Sequence, residues 1–214
     1  MVVLQFIAII LLSYLLGAIP FGIIATKLTR GIDARDYGSG KTGATNVLRS
    51  AGGKAGLLTL LPDVGKGTTS VLIAWLVLHS HATQVFAAMA AMVGHNWPIY
   101  VNFRGGRGVG PYVGGMAAMY WPVALACGPG VGLGIALLTR YVSLGSIFVV
   151  LSSFVTMLIM ALVGTQPMEY LIYTGTGGGL ILFQHRDNIQ RLCAGTELKL
   201  GEKAKEREPL VPRI

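Results

Sequence analysis

The chain has 214 residues, 53% of them hydrophobic and 12% charged, with a mean hydropathy of +0.63. A soluble domain carries about twice that charged fraction, so the composition argues against a soluble globule and for a polytopic membrane protein. The net charge is +8, and the two cysteines, Cys127 and Cys193, have no metal-ligand spacing, which argues against a zinc or disulfide framework.

At roughly 20 residues per span, the chain has room for about seven transmembrane helices joined by short loops. The first apolar run covers 2–26. It has no basic residues ahead of it and is too long for a cleaved leader, so it reads as a retained first helix. Further apolar runs fall near 55–78, 84–100, 109–126, 128–139, 142–163 and 168–183. Seven spans is the simplest count, with six and eight as the alternatives. The expected fold is therefore an all-α integral membrane protein. Residues 1–198 form a single membrane domain, and the charged, Pro-containing tail at 199–214 is expected to be flexible.

Orientation follows from the positive charges. With seven spans, all 17 Lys and Arg residues fall on one side, and the opposite loops carry only His79, His81 and Glu169. The N-terminus is then outside and the C-terminus cytoplasmic. Gly110/Gly114 and Gly128/Gly132, each four apart, suit close helix packing.

Three polar clusters interrupt the apolar pattern. The first runs from Gly38 to Arg49 through Ser39, Gly40, Lys41, Thr45 and Asn46. Its GSGKT string is not a Walker loop, because Arg35 stands where the earlier glycine is required. It reads instead as a Gly-rich turn leading to a helix start near Thr45. Exposed N–H groups at such a turn bind anionic oxygens, and Arg49 can add a bidentate contact. The plain alternative is a cytoplasmic loop with topogenic charge.

The second cluster joins His95-Asn96-Trp97-Pro98 to Gly105, Gly106, Arg107, Gly108 and Gly110 at the mouth of a helix. Its backbone can close around a phosphate while Arg107 supplies charge. The third, His185-Arg186-Asp187-Asn188, follows the last apolar run, with His185 and Asn188 on one helical face. Taken alone, it reads foremost as a solvated, amphipathic juxtamembrane helix on an anionic leaflet. A fourth feature, Asp63 and Lys66 at i, i+3 beside Pro62, can pair at membrane depth and shape the site by holding a helix break. The clusters offer donors and cations but no obvious buried carboxylate base.

Together these motifs resemble the three signature motifs of the bacterial acyl-phosphate:glycerol-3-phosphate acyltransferases, the PlsY family. The string Ser13-Tyr14-Leu15-Leu16-Gly17-Ala18-Ile19-Pro20-Phe21-Gly22 resembles that family's start. The resemblance implies seven helices in the bacterial cytoplasmic (inner) membrane and an active site on the cytoplasmic face. It further implies acyl transfer from acyl phosphate to the 1-hydroxyl of glycerol 3-phosphate, giving lysophosphatidic acid and phosphate. Neither acyl-CoA nor acyl carrier protein acts directly, no cofactor or metal is expected, and a soluble enzyme that makes acyl phosphate becomes a functional partner. Ser39, Arg49, Arg107, His185 and Asn188 would then line the site. Gly40, Thr45, Asn46, Gly105, Gly106, Gly108 and Arg186 would bind substrate, and Asp63, Lys66 and His95 would shape it.

The chain departs from the family pattern at Lys41, where Asn is usual, and at Arg107, where Lys is usual. It also reads Gly-Pro-Tyr after Val109. A transporter of a phosphorylated solute is the main rival, although it would place polar groups near the bilayer midplane, where the later spans hold none. A scaffold for anionic lipid would not need three such clusters. No nucleic-acid partner is expected.

Overall fold

Backbone N–H and C=O groups find no water inside a bilayer, so apolar runs that cross one fold as helices. The computed structural model describes residues 1–207. Among them, all regular secondary structure is helical apart from one antiparallel bridge, Tyr37 to Glu206. The helices are α1 (Val2–Ala18), α2 (Phe21–Arg30), α3 (Ala44–Ala51), α4 (Gly53–Leu78), α5 (His81–Asn96) and α6 (Val109–Leu125). A π-helical segment, Ala126–Leu133, leads into α7 (Gly134–Thr139). Then follow α8 (Val142–Leu162), α9 (Met168–Gln184) and α10 (Arg186–Cys193). By length and composition alone, three helical stretches among the described residues are apolar enough to cross a membrane: Val2–Arg30, Val109–Thr139, which is divided at Tyr120, and Val142–Leu162. Their outward faces carry exposed Leu4, Leu11, Leu138 and Leu162, side chains that a bilayer would cover.

The first apolar run is two helices. Pro20, which has no N–H to continue the ladder, stands at the start of α2, and α2 stops at Gly31 with φ +70°. Lys27 and Arg30 lie in the last turn of α2, where cations suit the exposed carbonyls. The helix break expected at Pro62 is absent: α4 continues from Gly53 to Leu78 with Pro62 inside it. Packing against its neighbours holds the helix together although Pro62 donates no hydrogen bond.

The boundary expected between the fourth and fifth runs also moves. Tyr120, at φ −156° and ψ 92°, is non-helical, and Pro122 follows it. A Cβ on Gly128 would lie 3.2 Å from Val113 Cγ1. In a straight helix those two positions would be about 22 Å apart along the axis. The chain therefore turns back at Tyr120, with no polar loop to mark the place.

Small residues let the helices approach closely. Gly67 and Gly114 each press on the backbone of the facing helix, at Pro111 and Val64, and Thr68 Oγ1 donates to Gly114 O at 2.9 Å, locking α4 to α6. Gly17 and Gly94 do the same between α1 and α5. The main core packs Met92, Tyr112, Met116, Met157, Tyr173 and Ile181. Tyr112, from the divergent Gly-Pro-Tyr string, stacks on Tyr173 at 5.2 Å and shares a 2.6 Å hydrogen bond with Ser153. A Gly114→Val substitution drives its side chain into the Val64 carbonyl. Thermal unfolding in detergent should show a loss of about 1–3 kcal/mol or more. Gly179→Ala, with nothing within 4 Å of the added carbon, should change stability by less than about 0.5 kcal/mol.

Candidate active site

The three clusters converge. Thr42 N–H donates to Gly105 O at 3.4 Å, joining the first loop to the second. The first loop is shaped by Asn46, on α3. Its Nδ2 donates to Ala34, Tyr37 and Lys41 carbonyls at 2.8, 3.0 and 2.9 Å, and its Oδ1 accepts from Ser39 N–H at 3.1 Å. Asn46 thus spends its carboxamide on the turn, presenting Ser39 and Gly40 at its edge. Gly38 and Gly40 both have positive φ, +53° and +67°, which a side chain would disfavour. Thr45 lies in the first turn of α3, half-buried.

The second loop folds back on α5. Gly106 N–H donates to His95 O at 3.0 Å, and side chains at Gly105 or Gly106 would collide with the His95 carbonyl or ring. Gly108, at φ +87°, caps the N-terminus of α6. Beneath the loop, Lys66 Nζ stands 2.9 Å from Asp63 Oδ1, and His95 Nδ1 stands 3.4 Å from the same oxygen. Lys66 also donates to Ile19 O at 3.3 Å. These three residues tie α4 and α5 under the glycine loop.

The third cluster spans the junction of α9 and α10. His185 Nδ1 lies 2.9 Å from Ile181 O. A carbonyl only accepts, so Nδ1 carries the proton and Nε2 presents its lone pair. Burial, then the Arg107 charge, lowers the imidazole to about 4, so His185 is neutral at pH 7. Arg186 turns outward, its guanidinium over the Phe183 ring at 4.7 Å and Nε 3.7 Å from Asp187.

The sequence reading missed Glu197. Beyond the Asp63–Lys66 pair no obvious buried carboxylate base was expected, yet Glu197 is 7% exposed. Its Oε1 accepts from Asn188 Nδ2 at 2.7 Å and Ser143 Oγ at 2.9 Å, and its Oε2 accepts from Arg191 Nε at 2.8 Å. Burial raises this carboxyl, but the hydrogen bonds from Asn188, Arg191 and Ser143 outweigh it and hold the group below its ordinary range. Glu197 sits in a polar stretch after α10, and it becomes buried only because that stretch folds back on α8. The signal available was Asn188 and Arg191 at i, i+3, two donors on one helical face.

Arg49, also on α3, donates from Nη2 to Leu198 O at 2.8 Å. Burial pushes its guanidinium down against the pull of Glu197 and Glu202. Burial and Arg191 lower Arg107 to about 10, against Glu197 and Asp187. Among the described residues, the buried polar atoms without a hydrogen-bond partner include Arg49 Nε, Arg107 Nε and Asn188 Oδ1, with both amide atoms of Asn96. Unpaired buried polar atoms are costly, so those left without a protein partner here are candidates for contact with a ligand. No group of His, Cys, Asp and Glu able to hold a metal occurs among the described residues.

Fold and site together define an integral membrane protein whose helices bring buried cations and unpartnered polar atoms together. The glycerol-3-phosphate acyltransferase family matches residues 7–195. A Dehalococcoides mccartyi protein named glycerol-3-phosphate acyltransferase 3 is 43% identical, covering 96% of this chain and all of that protein. The glycerol-3-phosphate acyltransferase of Parasynechococcus marenigrum is 39% identical over 95% of this chain and 93% of its own. Crystal structures of PlsY (YgiH), an integral membrane glycerol 3-phosphate acyltransferase, superpose with TM-scores of 0.83 for the glycerol 3-phosphate form and 0.81 for the lysophosphatidic acid form. They are 39% and 38% identical, cover 92% of this chain, and are themselves covered to 96% and 95%. The chain belongs to the PlsY family of glycerol-3-phosphate acyltransferases.

Proposed function

We propose that this protein transfers an acyl chain from acyl phosphate to the 1-hydroxyl of glycerol 3-phosphate, in phospholipid synthesis. Acyl transfer to glycerol 3-phosphate follows from family membership. The acyl phosphate donor is our reading of the site. The observation that carries it is the set of unpartnered buried donors and acceptors on Arg49, Arg107 and Asn188, set among cations.

An acyl phosphate is a mixed anhydride and needs no further activation. The hydroxyl oxygen attacks the acyl carbonyl carbon, the bond from that carbon to the phosphate oxygen breaks, and inorganic phosphate leaves. Arg49 and Arg107 align the two anions and neutralise charge developing on the leaving phosphate. The Gly105–Gly108 loop, apart from the Gly106 N–H bound to His95 O, offers backbone N–H groups to phosphate oxygens alongside the Ser39 and Thr45 hydroxyls, whereas the N–H groups of the Gly38–Gly40 turn are taken by Lys205 O, Asn46 Oδ1 and Tyr37 O. Neutral His185 accepts the substrate hydroxyl at Nε2 and orients it, with Asn188 Oδ1 beside it. With a basicity near 4, His185 is a weaker base than a phosphate oxygen, whose second proton leaves near pH 6. The hydroxyl proton therefore passes to a substrate phosphate oxygen. Arg186 adds charge at the entrance.

The helices form seven crossings: α1 with α2, α4, α5, the two arms on either side of Tyr120, α8 and α9. The N-terminus is outside and the active site on the cytoplasmic face of the inner membrane, where a soluble enzyme can deliver acyl phosphate. Residues 1–198 form the membrane domain and 199–214 the tail, of which 208–214 lie outside the described residues.

Purified protein given acyl phosphate and labelled glycerol 3-phosphate should form lysophosphatidic acid and inorganic phosphate without acyl-CoA. A folded sample that requires acyl-CoA would refute the donor assignment. His185 also makes a pH prediction. Its folded basicity lies near 4, whereas the unfolded chain takes up that proton near pH 6.5. Between those values the unfolded state binds more protons, so stability present above pH 6.5 is lost on acidification. The unfolding midpoint should fall from pH 7 to 5, and less so in His185→Gln, which has no proton to gain.

A further inference from the structure

The end of the described chain returns to the first glycine turn. Leu200 N–H donates to Arg140 O at 2.6 Å, and Arg140 Nη2 donates to Leu200 O at 3.0 Å. The strap then crosses α3, where Ala204 N–H donates to Arg49 O at 3.1 Å. Beyond it, Gly38 N–H donates to Lys205 O at 2.9 Å, Glu206 bridges to Tyr37, and Arg207 N–H donates to Asp36 O at 2.8 Å. The Arg207 guanidinium lies directly on Gly40, so that any Cβ at Gly40 would overlap it. The strap also occupies one nitrogen of Arg49 through Leu198 O.

This arrangement gathers cations. Burial lowers the Lys41 ammonium, and the Arg107, Arg186 and Arg207 charges push the same way, opposed by Asp187. Cations brought together around a half-buried lysine repel one another unless an anion lies between them. The N–H groups of the Gly38–Gly40 turn are taken by Lys205 O, Asn46 Oδ1 and Tyr37 O, so an anion beside the turn would be held by these side-chain cations and the Ser39 hydroxyl.

We infer that residues 198–207 are part of the active site and that Arg207 is a further binding cation for a substrate phosphate held at the Gly38–Gly40 turn. The inference rests on the reading of that turn as a phosphate site. Arg207 touches the ligand but not the reacting atoms, so its loss weakens binding and spares the chemical step. The phosphate at the turn belongs either to glycerol 3-phosphate or to acyl phosphate, and kinetics separate them.

The test compares wild type with Arg207→Ala, Arg207→Lys and a chain ending at Lys203, all in full-length or near full-length detergent-purified protein. Loss of one charge-assisted contact should raise KM about tenfold for one substrate, with kcat within about twofold of wild type. Arg207→Lys should recover most of the affinity. A rise for glycerol 3-phosphate or for acyl phosphate supports the inference and names the ligand. Unchanged KM for both substrates overturns it, as does a drop in thermal stability with unchanged KM. Equilibrium binding of glycerol 3-phosphate to the same proteins keeps this result separate from the donor question. A wild type that binds glycerol 3-phosphate but does not use acyl phosphate counts against the donor assignment alone.

Discussion

Replacing Arg107 by alanine should lower kcat/KM for lysophosphatidic acid formation by about 10²–10³-fold, the usual cost of removing a preorganised donor from a developing negative charge. Arg107 has an unpartnered buried Nε, and the His185 ring feels its charge. Arg107→Lys keeps the charge but exchanges a planar fork for a point charge, and it should stay within about tenfold of wild type. Initial rates across both substrate concentrations would measure this. Wild-type kinetics in Arg107→Ala would remove the residue from the site. Because the Arg107 guanidinium is lowered only to about 10, it remains charged through the neutral range.

Removing the Asp63 carboxylate alone should cost about 3–5 kcal/mol, because it leaves the Lys66 ammonium buried without its counter-ion. The two side chains are 5% and 4% exposed, and Lys66 would keep the Ile19 carbonyl and the face of the Phe21 ring. A paired Asp63→Leu, Lys66→Met chain removes both charges at similar volume and should regain most of that loss. Thermal unfolding of the two single variants and the pair would show it. If the pair were as unstable as Asp63→Leu, the cost would lie in packing rather than in the unpaired charge. Activity should fall with Asp63→Leu even in the folded fraction, since His95 spans from Asp63 to the underside of Gly106.

The helical architecture was legible because lipid leaves an apolar run little choice but a helix. The polar clusters were legible for a related reason: Arg49, Arg107, His185 and Asn188 stand among glycines and small polar residues where apolar side chains are the rule. Their convergence could not be read from spacing, since it rests on contacts such as Thr42 to Gly105 and Arg49 to Leu198 between distant segments. Glu197 was hidden for the same reason. The residues before it, 193–196, are exposed, and Ser143, 54 positions away, helps to bury it. The reversal at Tyr120 gave no signal because a turn between two apolar arms needs no charged or polar loop. At Pro62 the sequence misled, since tertiary packing carries α4 across a position where local preference favours a break.

Asn46 has one more consequence. Its carboxamide binds the turn through the backbones of Ala34, Tyr37, Ser39 and Lys41, and through no side chain among them. The loop's contour is thus set independently of which residue occupies position 41. An asparagine there, or the lysine this chain carries, can be exchanged without rebuilding the loop. The side chain at position 41 can therefore vary while the scaffold beneath stays the same.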